Sequence, residues 1–206
     1  MARGRPKDLD KRSAVLQAAK GLFARGGLAG TSMEAIARAA GVSKLTLYSH
    51  FANKDELFRQ CVTAKCEEHT PVDLFDLRPG RPLRQRLEAI AEAFLGLVTS
   101  PEAVDLYRLM VADGGSSKLS RLFWEAGPAR SKRQLAELLA AAAAAGELEI
   151  DDADSAAAQF FSLVKGELHM KLMVGVLQQA SPEMRRQQAL LATDWFLRAC
   201  QPRRRR

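Results

Sequence analysis

Residues 31–58 read TSMEAIARAAGVSKLTLYSHFANKDELF, and this stretch decides the fold class. Thr31 can cap a helix while Glu34 reaches back to it, a Thr-x-x-Glu capping box. Met33, Ile36, Ala37 and Ala40 then recur at the spacing of one helix face. Gly41-Val42 breaks that helix, glycine being the residue that takes a left-handed turn without steric cost. Ser43 caps a second short helix, Lys44 to about His50. Val42 and Leu47 are expected to pin it to its predecessor, which leaves Lys44, Leu45, Thr46, Tyr48 and His50 facing outward. Helix, glycine turn and short helix with a polar outer face make a helix-turn-helix. Asn53 and Glu56 form another capping box, opening a helix with Leu57, Phe58, Cys61 and Val62 on its inner side.

Outward from this stretch the chain continues in helices. Upstream, Val15, Ala19, Leu22 and Phe23 give a helix from about Leu9 to Arg25 an apolar face, and Gly26-Gly27 ends it. Downstream, Pro71, Pro79, Gly80 and Pro82 mark a joint. A helix over roughly 83–99 follows, then one capped by Ser100 with Pro101 at its first position, ended by Gly114-Gly115. An Ala-rich segment over 117–145 is interrupted near Gly127-Pro128. Asp151 and Asp152 suit the start of a helix running to about Gln179, and Ser181-Pro182-Glu183 opens the last. β-branched residues are sparse, while Ala, Leu, Arg, Glu and Gln abound. The fold class is therefore all-α, without strands.

Charge divides the chain unequally. Residues 1–54 hold ten Lys/Arg against three Asp/Glu, so the entire formal +7 lies there; residues 55–206 hold 21 of each sign. A basic module on a neutral partner domain is the pattern of a polyanion binder. Three cysteines, Cys61, Cys66 and Cys200, offer no paired framework and suit a reducing compartment. The longest apolar run, Leu138–Ala145, is too short to span a bilayer, and no leader-like stretch opens the sequence. A cytoplasmic protein is the expectation.

The run from Thr31 to Phe58 closely resembles the DNA-binding signature of TetR-family regulators. The match takes in Gly41-Val42-Ser43-Lys44, Thr46-Leu47-Tyr48, His50-Phe51 and the Asn53-Lys54-x-Glu56-Leu57 that opens the next helix. It extends back over Ala18-Ala19 and Leu22-Phe23. Glu125-Ala126-Gly127-Pro128-Ala129-Arg130 and Gly146-Glu147-Leu148 resemble the AefR-like subgroup. The resemblance implies a three-helix DNA-binding domain over 1–54 and a larger antiparallel helical domain over 55–206 for sensing and dimerisation. It implies base contacts from Lys44, Leu45 and Met33, mixed phosphate and base contacts from Thr46, Tyr48 and His50, and a phosphate grip by Lys54, with Ser43 at the start of the probing helix. Position 45 is Leu where small residues or Gln are common in the family, so the family's base preference does not carry over there. Arg3-Gly4-Arg5-Pro6-Lys7 looks like an AT-hook core, so Arg3 and Arg5 are candidates for the minor groove.

A helix apolar on two sides needs two neighbours. Over 152–178, Phe160, Val164 and Leu168 form one stripe and Phe161, Leu172 and Val176 another. Phe160, Val164, Leu168 and Leu172, with Leu191 and Trp195 of the last helix, are the expected homodimer interface. The expected function is a repressor that binds a palindromic operator as a dimer and is released by a small-molecule inducer. Phe94, Tyr107, Met110, Phe123, Trp124 and Phe161 lie in helices that line ligand pockets in such regulators, so an apolar or aromatic inducer is expected. The alternative is a nucleoid-associated DNA-binding protein of the same fold without a ligand. No cofactor or metal is expected: Cys66 and His69 make a pair without a second pair. No nucleophile elbow, metalloprotease helix or phosphate loop supports an enzyme.

Overall fold

A computed structural model describes residues 5–75, 81–112 and 118–202. Among them the elements are α1 (Arg5–Gly26), α2 (Met33–Ala39), α3 (Lys44–His50), α4 (Lys54–His69), a 3-10 turn (Val72–Phe75), α5 (Leu83–Val98), α6 (Pro101–Ala112), α7 (Lys118–Ala126), α8 (Pro128–Ala144), α9 (Ala153–Met173) and α10 (Pro182–Ala199). No strand occurs among the described residues. None of their helices is long and apolar enough to cross a membrane.

The chain forms two compact units, residues 1–65 with 105–127, and residues 66–104 with 128–206. A boundary after residue 54 therefore does not describe the packing. The first half of α4 belongs with the head because its Leu57, Phe58, Cys61 and Val62 are buried. Phe58 meets Phe23 of α1 edge to face, ring centroids 5.3 Å apart. α6 from Asp105 and α7 join the same unit, where Lys118 pairs with Asp55.

Local chemistry places the head's helices. Thr31 does not cap α2: its hydroxyl is buried and donates to the Gly27 carbonyl at 2.8 Å, tying the α1–α2 turn shut. Ser32 caps instead, accepting from the Ala35 N–H at 3.1 Å. Gly41 takes φ +66°, and nothing lies within 4 Å of where its Cβ would be. Conformation alone requires glycine there. Gly41→Ala is expected to cost about 1–2 kcal/mol for the left-handed backbone; a denaturant titration with an unchanged midpoint would contradict this.

The second unit is built on α5, α8, α9 and α10, with α9 packed against the other three. Leu87, Ile90, Leu135, Leu139, Phe160 and Val164 are fully buried in one continuous core. Asp152 caps α9, accepting from the Ser155 N–H at 2.8 Å, and Ser181 caps α10 through the Met184 N–H. Hydrogen bonds from Ser155 hold the exposed Asp152 carboxyl below its ordinary range.

This packing corrects the expected dimer residues. Phe160, Val164, Leu168 and Leu172 are all buried within the protomer. Phe161 of the second stripe is buried in the same unit as well, because three neighbouring helices enclose much of α9, whereas Val176 lies past the end of the helix and is 74% exposed. Leu191 and Trp195 do stand outward, 55% and 59% exposed. α9 also breaks at Gly166, which takes φ +45° and ψ −152°, a region that residues with a Cβ rarely enter. The Gln188 side-chain amide of α10 fills this break and donates to the Leu163 carbonyl at 2.9 Å.

Candidate nucleic-acid interface

α3 is short, and its two sides differ sharply. Leu47 is fully buried, and Phe51, just past its end, is nearly so. Opposite them Leu45 is 82% exposed, and Lys44 and Tyr48 flank it on the open surface. Ser43 accepts from the Thr46 N–H at 3.1 Å, and the two hydroxyls lie 2.9 Å apart. Those two side chains thus hold the start of the helix together. The result is a rigid probe whose projecting atoms are an ammonium, an isobutyl tip and a phenol.

Not every expected contact residue lies on that face. Met33 is 8% exposed, packed mostly into the head's core while also lining an open cleft beside α3. His50 is only 11% exposed; its Nε2 lies 3.2 Å from an Asp8 carboxylate oxygen, off line for a hydrogen bond. The placement of His50 corrects the sequence reading. Lys54 donates to the Thr31 carbonyl at 2.9 Å, which bridges the start of α4 to the start of α2. Arg5 opens α1 as a helical residue, not part of an extended arm, while Arg3 and Arg203–Arg206 lie outside the described residues.

Beside the probe lies an open cleft of about 410 Å³, lined by Thr31, Ser32, Glu34 and Ala35 at the start of α2, with Tyr48 and Lys54. Glu34, read from sequence as a capping partner, does something else. Its carboxylate reaches the Lys44 ammonium at 2.9 Å, both side chains about half exposed or more. The Lys44 hydrogen bond holds the Glu34 carboxyl below its ordinary range. The one available signal was that Glu34 is the sole acidic residue between Thr31 and Lys54.

The six expected ligand residues fall in both units. Phe94 and Phe161 meet in the second with their rings tilted by 43°, centroids 4.3 Å apart. Tyr107 and Phe123 meet edge to face in the first at 6.5 Å, where Met110 is buried and Trp124 exposed. Phe161 is itself buried. Among the described residues, no group of three or more His, Cys, Asp or Glu could hold a metal ion. Burial raises the Cys61 thiol to about 12 and Cys66 to about 11, so neither is a ready thiolate.

Residues 15–61 match the family described as bacterial regulatory proteins, tetR family, and residues 85–202 match the AefR-like transcriptional repressor C-terminal domain. The chain belongs to the TetR family. Proteins similar to it include the flavonoid-responsive regulator FrrA, whose solved structure is 38% identical and covers 94% of this chain and 98% of its own, with a TM-score of 0.71. The HTH-type transcriptional regulator SrpR of Pseudomonas putida is 27% identical, over 78% of this chain and 74% of SrpR. The HTH-type transcriptional activator FasR of Mycolicibacterium smegmatis is 36% identical, over 45% of this chain and 42% of FasR. As a TetR-family member this chain is a DNA-binding transcriptional regulator, and the helix-turn-helix described above is the family's DNA-binding element.

Proposed function

We propose that this regulator is a repressor that holds a palindromic operator as a homodimer and lets it go when a small apolar or aromatic molecule binds. The observation that carries the DNA-binding part is the two-faced α3: Leu47 anchors it, so Lys44, Leu45 and Tyr48 can enter a major groove without disturbing the fold. The cleft beside α3 suits the DNA backbone, with Tyr48 and Lys54 at its edge to contact phosphate. Phosphate contacts set position and salt dependence, while the residues at the tip of α3 read bases.

Homodimerisation is supported by an exposed apolar surface on the second unit. Leu163 and Met170 of α9, and Met184, Leu191 and Trp195 of α10, all stand outward at spacings of four or seven residues. The Gln188–Leu163 hydrogen bond sets the two stripes side by side. A twofold interface there would present two α3 helices to successive grooves, about 34–36 Å apart. For the inducer, the aromatic pair Phe94–Phe161 of the second unit favours a flat, apolar molecule. The flavonoid response in FrrA's name supports the same class. A hundredfold loss of operator affinity requires only about 2.7 kcal/mol of coupling. The setting is cytoplasmic, where operator DNA is found.

Selection of bound duplexes from random-sequence DNA tests the reading, and a pseudo-palindrome with half-sites on one face of the helix is the expected product. Tyr48→Ala and Lys44→Ala should each weaken binding to the selected site by about ten-fold or more, with dimerisation and helical signal intact. Dissociation of either variant into monomers would show that α3 carries the dimer, contrary to the proposal.

A further inference from the structure

The geometry points to Glu34 and Lys44 acting together as a reader of one G·C base pair in each half-site. This assignment rests on the operator reading above.

The pair is poorly explained by stability. An ion pair this exposed contributes little to folding, because water screens it and two flexible side chains must be held still. Yet it sits at the leading end of the recognition helix, next to the most exposed large apolar side chain of the head, Leu45. A carboxylate in that place would ordinarily be a fault, since it faces phosphates. The 2.9 Å contact with Lys44 cancels its charge, so the couple can enter the groove without net repulsion.

Inside the groove, the couple offers what a G·C pair lacks. Guanine presents two acceptors, N7 and O6, and cytosine presents the N4 amino donor. The Lys44 ammonium has three N–H donors; with one on Glu34, two remain for guanine. The Glu34 carboxylate has two oxygens and spare lone pairs, enough to accept from the cytosine amino group while keeping Lys44. An A·T pair puts the N6 amino donor where guanine has O6 and the O4 acceptor where cytosine has its amino group, so Lys44 and Glu34 would each face a like group.

Two variants of the full chain test the idea by selection from random-sequence duplexes, alongside the unaltered chain. The unaltered chain should enrich a G·C pair at one symmetric position of each half-site. In Glu34→Gln that position alone should relax, losing roughly ten-fold or more of its discrimination, while the other positions stay selected. Lys44→Gln should relax the same position. Glu34→Ala gives a second removal of the acceptor should the Gln variant lose its helical signal. A Glu34→Gln chain that binds every duplex more tightly but keeps the same preference at every position would overturn the assignment, since Glu34 would then be a repulsive charge and no more. Relaxation of different positions by the two variants would also overturn it. An unaltered chain that enriches no sequence sinks the operator reading, and this assignment with it.

Discussion

Phe160→Ala is expected to destabilise the second unit by about 3–5 kcal/mol. The side chain is fully buried and meets Phe196 edge to face at 5.1 Å and Phe161 at 5.9 Å, so truncation removes aromatic contacts and leaves a cavity that three rigid helices cannot collapse. Thermal unfolding should show it as a drop of roughly ten degrees. The dimer, once the protein is folded, should survive. Unfolding unchanged together with a switch to monomer would reinstate Phe160 at a subunit interface.

Leu191→Glu combined with Trp195→Glu should give the opposite pattern. Both residues lie on the outer side of α10, so neither charge is placed in the protomer core, and unfolding of the monomer should move little. Two like charges repeated across a twofold axis would meet their own copies, which disfavours the closed dimer. Sedimentation should then report a monomer at micromolar concentration. DNA binding should fall about a hundred-fold or more, because the second head no longer binds as an intramolecular event. A double variant that stays dimeric places the interface elsewhere and removes the exposed α9–α10 surface from the argument.

Much of the fold was legible in the residues because its signals are local. Capping residues at Ser43, Asn53, Asp152 and Ser181, the breaks at Gly41 and Gly127-Pro128, and the periodic apolar positions each depend on a few neighbours along the chain. Even so, local rules failed where two options were close in energy. Thr31 and Ser32 both make good caps; the buried carbonyl of Gly27 took the Thr31 hydroxyl, and the cap passed to Ser32. Glu34, released from capping, turned to Lys44.

The candidate site divided in the same way. That α3 probes outward was readable, since Val42 and Leu47 were expected to pin it to α2 and to leave Lys44, Leu45 and Tyr48 outside. That His50 is withdrawn was not readable, because its surroundings are set by a distant segment, with Asp8 of α1 beside it. The break at Gly166 is of this kind as well: a lone glycine in a helical pattern gives no warning until Gln188, 22 positions later, is found filling it.

Sequence alone determined the class of the protein: helices, a helix-turn-helix, and a net positive charge that lies entirely in the first quarter of the chain. These follow from residue type and spacing, which act over a turn or two of backbone. Tertiary structure decided which side of each helix is free. A side chain's periodicity says that it belongs to a stripe, but only the number of helices packed around α9 settled that Phe160 is core, leaving Trp195 of α10 on the surface.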